Sequence, residues 1–186
     1  MCLACASTAD VLVTPQEMAI RDTWVNSNLE HQMPFSFSYG NRESAKILSA
    51  WDRKEDTEKL DAVRTRRTIM WTDSKTGLVL RFIAISYADF PMVEWTLYFK
   101  NSGGQETPIL SDILPLELKL MRGQKSEFVL HHHAGSNATM DDYRTYEKLL
   151  KPKTVVRMAT SGGRGSDACW PYFNVDWGSE GTIVVV

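Results

Sequence analysis

An all-β fold of antiparallel strands packed as a two-sheet sandwich is what this sequence predicts, and three observations point to it. Apolar and polar residues alternate in short runs, turn residues interrupt those runs at short intervals, and no stretch carries the periodicity of an amphipathic helix longer than about three turns. The strand–helix alternation of an α/β fold is absent. A chain of 186 residues reads as one large domain, long enough to bury roughly two-thirds of its unfolded surface without a disulfide or metal staple.

The elements follow in order. Residues 1–10 read as a disordered lead-in, and the domain spans 11–186. Phe35-Ser36-Phe37-Ser38-Tyr39 alternates aromatic and small polar residues and closes on Gly40-Asn41, a half-buried strand. The highly charged stretch 52–67 fits either a polar helix or a long exposed hairpin. Thr68 to Thr72, a turn over Asp73-Ser74-Lys75-Thr76-Gly77, and Leu78 to Tyr87 form a hairpin. Beyond Pro91, Val93 to Lys100 is a further strand, ending in Asn101-Ser102-Gly103-Gly104. Leu114, Leu116, Leu118 and Leu120 alternate with Pro115, Glu117 and Lys119, which predicts a strand whose start lies at an edge or bulge. Phe128 to Leu130, Val155 to Met158 and Gly181 to Val186 complete the set. The last is an apolar strand that stops without a polar tail, so the expectation is a chain truncated before a further domain. Internal repeats and linkers are absent.

Composition narrows the function. The formal net charge is −2, which gives no nucleic-acid footprint, and Arg64, Arg66 and Arg67, mixed with Glu58 and Asp61, read as a solvated strand edge. No run approaches a transmembrane helix, and no membrane partner is expected. Cys2, Cys5 and Cys169 are an odd number and imply no disulfide framework; Cys2-Leu-Ala-Cys5 lacks the context of a redox motif. No readable signal peptide precedes Cys5, and the compartment, cytoplasmic or exported, stays open. Asn137-Ala138-Thr139 matches a glycosylation acceptor. Six Trp, six Tyr and seven Phe suit a β core and also suit sugar contact, because the apolar face of a pyranose packs on an aromatic ring.

Three constellations carry candidate chemistry. His131, His132 and His133 follow Phe128-Val129-Leu130; on a strand His131 and His133 share one face and His132 takes the other. That spacing admits a metal pair only with a third ligand such as Asp141 or Asp142, and hydrogen-bonding histidines at a strand end are favoured, with no cofactor expected. Asp141-Asp142, after Gly135-Ser136-Asn137, are candidate substrate contacts, although adjacent carboxylates diverge in an extended loop and a turn or helix cap is the favoured reading. Gly162-Gly163-Arg164-Gly165-Ser166-Asp167 lacks the Lys-Ser/Thr of a phosphate-binding loop. With Ala168-Cys169-Trp170-Pro171-Tyr172 beside it, it suits sugar contact or a domain interface: Arg164 and Asp167 would bond hydroxyls and Trp170 would offer a ring face.

Three ordered blocks, covering most of residues 68–186, resemble the N-terminal domain of glycoside hydrolase family 36, the α-galactosidase and melibiase group. They are Val93 to Asn101 running on to Thr107-Pro108-Ile109-Leu110; Leu130 to Ser136 with Asp141-Asp142-Tyr143; and Gly162 to Asp167 with Trp170 to Asn174 and Gly181 to Val185. Gly165 and Cys169-Trp170 depart from the family's pattern, which has a small polar residue and a less bulky pair there. The resemblance implies a galactose-mutarotase-like β-supersandwich preceding a (β/α)8 barrel. The parent would be a retaining enzyme acting on α-galactosides, with both catalytic aspartates on the barrel. It implies no catalytic residue in this chain, no activity of the chain alone, and two partners: the chain's own barrel and a galactoside-type carbohydrate. Self-association stays open. Two rival readings are a free-standing carbohydrate-binding module using Trp24, Trp51 or Trp170, and a mutarotase- or epimerase-like enzyme pairing a histidine of 131–133 with Glu94 or Glu117.

Overall fold

A computed structural model of the chain describes residues 12–121, 127–160, 162–178 and 181–185. The expected disordered lead-in, with Cys2 and Cys5, lies outside the described residues. The fold is all-β with antiparallel sheets, and the chain falls into two compact units, Met1–Leu118 and Lys119–Val186.

The first unit opens with a helix, α1 (Pro15–Val25), continued by a π-helical turn over Asn26–His31. Thr14 Oγ1 accepts from Glu17 N (3.2 Å) and Glu17 Oε2 accepts from Thr14 N (2.7 Å). This reciprocal cap, with Pro15 at the first helical position, is spelled by Thr14-Pro15-Gln16-Glu17, a start signal that alternation alone does not reveal. Strand β1 (Ser36–Tyr39) turns through Gly40 and Asn41, both at positive φ, into β2 (Arg42–Glu43). A short helix α2 (Ser44–Ile47) and one 3-10 turn then lead to a meander of β3 (Asp52–Lys59), β4 (Arg64–Thr72), β5 (Leu78–Tyr87) and β6 (Val93–Asn101). Strand β7 (Leu110–Leu114) returns to pair with β1, giving a three-stranded sheet β2-β1-β7 and a four-stranded sheet β3-β4-β5-β6.

Side-chain alternation joins the two sheets as a sandwich. Phe37 and Tyr39 on β1, Ile69 and Trp71 on β4, and Leu78, Leu80, Phe82 and Ala84 on β5 are buried in one core. Phe35 lies 5.5 Å from Phe82, and Phe37 meets Phe99 edge-on at 5.2 Å. The β4–β5 turn is pinned by the buried Asp73, whose carboxylate accepts from Tyr39 Oη (3.3 Å), Thr76 Oγ1 (2.8 Å) and Lys75 N (3.1 Å). Gly77 closes that turn at φ +77°, so close to Gly103 that a Cβ would sit 2.6 Å from its backbone.

Several expectations are corrected here. The undecided stretch 52–67 is the exposed hairpin β3–β4, with Asp61 Oδ1 accepting from Val63 N and Arg64 N at its turn. Arg64, Arg66 and Arg67 are not at a strand edge: β4 is paired on both sides and the edge is β3. Arg66 bonds Glu58 and Arg67 bonds Glu55, on opposite faces of the same strand pair. The expected strand over Leu114–Leu120 is absent. Pro115 has no N–H to continue the ladder; its carbonyl accepts from Trp95 Nε1 (2.8 Å), and Glu117 N donates to Pro34 O (2.7 Å). Trp24 and Trp51 do not form an exposed platform. Trp24 stacks on Trp95 at 5.7 Å, and Trp51 packs against Phe37 and Tyr39, both at the margin of the core.

The second unit is a four-stranded antiparallel sheet in the order β11-β10-β8-β9, built from β8 (Phe128–His133), β9 (Thr145–Leu150), β10 (Tyr172–Asp176) and β11 (Gly181–Val185). Leu130 and Val175, directly opposite in the β8–β10 ladder, are its buried apolar pair. Val155 to Met158 form no strand; Val155 is exposed and the segment pairs with no other among the described residues. Strand β9 departs from expectation, because Thr145-Tyr146-Glu147-Lys148-Leu149-Leu150 has no apolar alternation and is exposed along nearly its whole length.

Candidate functional site

The candidate residues of the second unit lie in two loops that the fold brings together. The first, residues 134–144, joins β8 to β9 and carries Asp141 and Asp142. The second, residues 162–171, leads into β10 and carries Arg164, Asp167 and Trp170. Ser136 N donates to Ser166 O (2.8 Å), Trp170 N donates to His133 O (3.2 Å), and Ala134 bridges Cys169. Gly135 permits this closeness: a Cβ there would fall 2.1 Å from Ser166 O.

The two buried or bonded carboxylates hold the loops in shape. Asp142 accepts from Ser136 Oγ (2.7 Å), Asn137 N (2.9 Å), Thr139 N (3.1 Å) and Thr139 Oγ1 (3.3 Å). The Ser136 hydroxyl, then the backbone N–H of Thr139 and that of Asn137, stabilise its charged form, and the carboxyl is drawn down to about 2. Asp142 is therefore the knot of a turn, the reading favoured for the pair. Asp167 is 3 % exposed; Oδ2 accepts from Gly162 N and Oδ1 from Ala168 N (2.7 Å). Asp141 instead faces solvent and pairs with Arg144 at 3.2 Å. Arg164 stands exposed at the loop tip, with no hydrogen bond or ion pair among the described residues.

Trp170 is the centre of the arrangement. Its ring lies 5.4 Å from Tyr143 and 5.5 Å from Tyr172, and Tyr172 lies 5.5 Å from His133. Four rings from both loops and two strands thus make a continuous row at the sheet's end. Tyr143 and Tyr172 are exposed, so ring faces are open to solvent. Trp170 also borders a recess of about 300 Å3 walled by Met158, Cys169, Pro171 and Phe173.

Along the same sheet face the row gives way to polar groups. His131 lies opposite Asn174 on β10 and Glu147 on β9. Its Nε2 donates to Asp176 Oδ2 (2.8 Å), and Nδ1 lies 3.9 Å from Glu147 Oε2. The Asn174 Oδ1 is buried and has no hydrogen-bond partner among the described residues. His132, as the strand parity requires, is on the other face, stacked on Tyr146 at 5.1 Å. Burial, then the charges of His133 and Lys148, pushes its imidazole below the ordinary histidine range.

Chemically, this face offers apolar ring surfaces beside a carboxylate-oriented imidazole, a carboxylate and an amide, which is the mixture that hydroxyl-rich rings require. Among the described residues no three His, Cys, Asp or Glu side chains converge as a metal site, and no helix is long and apolar enough to cross a membrane. The carboxylates beside His131 are Asp176 and Glu147. Glu94, in the first unit, accepts instead from Tyr87 Oη (2.9 Å). Tyr143, Tyr172, His133 and Asp176 do not announce themselves in the sequence as members of one site, because their proximity depends on the β8–β10 register. No family model, curated protein or solved structure matches this chain.

Proposed function

We propose that this chain is the N-terminal accessory β domain of an α-galactosidase-like glycoside hydrolase, with its Trp170 face directed to a sugar held by the enzyme's barrel. The parent acts by retention through two barrel aspartates and needs no cofactor, and this chain supplies neither aspartate. The observation that carries the reading is convergence. Two of the three family-like blocks, far apart in sequence, meet through Ser136–Ser166 and His133–Trp170 backbone bonds and contribute rings to one row. In this reading Trp170, Tyr143 and Tyr172 offer ring faces, Arg164 and Asp141 reach hydroxyls from the rim, and Asp142 and Asp167 fix the loops.

The test is an assay of the chain with an aryl α-galactoside, together with a titration by galactose, melibiose and raffinose followed by calorimetry and tryptophan fluorescence. The expected result is no hydrolysis above background, and hydrolysis would overturn the accessory reading. The exposed ring row favours a second reading, a free-standing carbohydrate-binding module. Saturable binding that disappears in Trp170→Ala would select it over the first.

A further inference from the structure

We infer that the first unit holds a separate binding site for one neutral monosaccharide ring, in the recess between the end of the N-terminal helical segment and the polar end of strands β3–β6. The inference is independent of the Trp170 face, which belongs to the other unit.

The site follows from strand parity. The face of β4 that buries Trp71 and Ile69 continues to Arg67 and Thr65, and the face of β5 that buries Leu80 and Phe82 continues to Ala84 and Ser86. Across the ladder, Glu55 and Thr57 share that face, with Thr57 opposite Arg67 and Glu55 opposite Ile69. The same surface is therefore a dry core at one end and a recess of about 270 Å3 at the other. Val25 and Leu29 from the helical segment and Val93 from β6 give it an apolar wall.

The chemistry selects the guest. Glu55 accepts from Arg67 Nε and Arg53 Nη2, each at 2.5 Å, with side chains of Glu55 and Arg67 only 29 % and 19 % exposed. Burial pushes the Glu55 carboxyl up, but the hydrogen bonds and charges of Arg67 and Arg53 outweigh this and hold it below the ordinary carboxylate range. A charged guest would have to break these pairs, whereas a neutral hydroxyl can donate to the second lone pair of a Glu55 carboxylate oxygen without displacing either arginine. The hydroxyls of Thr57, Thr65 and Ser86 line the recess and make no hydrogen bond among the described residues, apart from any that a guest or solvent would supply. Hydroxyl donors and acceptors opposite an aliphatic wall match a pyranose, with its polar rim and apolar ring face. At about 270 Å3 the recess falls just below the usual range of ligand cavities, about 300–1,000 Å3, so it fits at most one ring and excludes an oligosaccharide.

The experiment is a titration of the isotope-labelled chain with methyl α-galactoside and with glucose, read by amide chemical shifts. The expected result is saturable shifts at Thr57, Thr65, Ala84 and Ser86. Thr57→Val/Thr65→Val, which keeps β-branched residues in both strands, should weaken binding by about tenfold or more, each lost hydrogen bond contributing. Trp170→Ala should leave the recess shifts unchanged. Absence of shifts there in a well-dispersed spectrum means the recess holds only water and overturns the proposal. So does recess binding unaffected by the double valine variant, or a stronger response to galacturonate than to the neutral sugars. Shifts confined to Tyr143, Trp170 and Tyr172 would overturn the recess while leaving the Trp170 face intact.

Discussion

Phe82 offers a direct test of the parity on which both the core and the recess depend. It is 0 % exposed, in the middle of β5, with Phe35 packed 5.5 Å away. A buried phenylalanine removes about 150–250 Å2 from water. At about 25 cal/mol per Å2, and with the Cβ retained, truncation to alanine forfeits roughly 3 kcal/mol. The cavity between two closely packed sheets adds to that, so Phe82→Ala should cost about 4 kcal/mol. This is a large share of the roughly 5–15 kcal/mol that holds a domain together, so Phe82→Leu, expected to cost about 1 kcal/mol, keeps the series measurable. Ile83 is the control: it points to the opposite face and is only half-buried, so Ile83→Ala should cost markedly less. Urea unfolding followed by far-UV circular dichroism supplies the free energies, with equal slopes confirming a common transition. If Ile83→Ala proved costlier than Phe82→Ala, β5 would be shifted by one residue. Ala84 and Ser86 would then face away from the recess, and the reasoning for it would fail.

Three further outcomes follow from the loops. The folded pKa of Asp142, about 2, is depressed below the unfolded value of about 3.9; its stabilising effect is complete above the unfolded value and is lost as pH falls through the folded one. The protection of the Asn137 and Thr139 amides, measured against the intrinsic exchange rate at each pH, should therefore fall between about pH 5 and pH 2, and Asp142→Asn should remove most of that pH dependence. Asp167→Ala strips the acceptor from the N–H groups of Gly162 and Ala168, so limited proteolysis within 162–166 should quicken by about tenfold or more; an unchanged rate would mean the carboxylate does not hold the loop. Gly77→Ala forces a side chain into a positive-φ position pressed against Gly103 and should destabilise the first unit by about 2 kcal/mol, read as a lowered Tm.

Strands with alternating apolar residues and clear turns are legible in the sequence alone. Ser36–Tyr39, Thr68–Thr72, Leu78–Tyr87 and Val93–Lys100 form where their alternation predicts, because burial on one face imprints a period of two. Elsewhere that imprint is missing or misleading. Strand β9 is exposed on nearly every residue and so carries no pattern, while the leucines from Leu114 to Leu120 carry one that Pro115 prevents from forming a ladder. The helix at Pro15 is marked by its cap rather than by an apolar stripe, and periodicity alone does not register it. For the candidate site, the loops and Trp170 are visible as composition. That Asp142 and Asp167 are spent on backbone N–H groups depends on loop conformations within six residues, which alternation does not encode, and that His131 is oriented by Asp176 depends on the β8–β10 register, which no local window contains.

The charge distribution on β3 has a consequence for how this protein behaves at high concentration. Among the described residues the strand forms the margin of its sheet, hydrogen-bonded to β4 along one side only, and all eight of its residues are exposed. Asp52, Glu55, Asp56 and Glu58 alternate irregularly with Arg53, Lys54 and Lys59. A second molecule adding a strand there would have to dehydrate these ions and find a complementary order of signs, which an identical strand laid antiparallel does not supply at every position. This margin is thus guarded by its own hydration against the addition of a further strand.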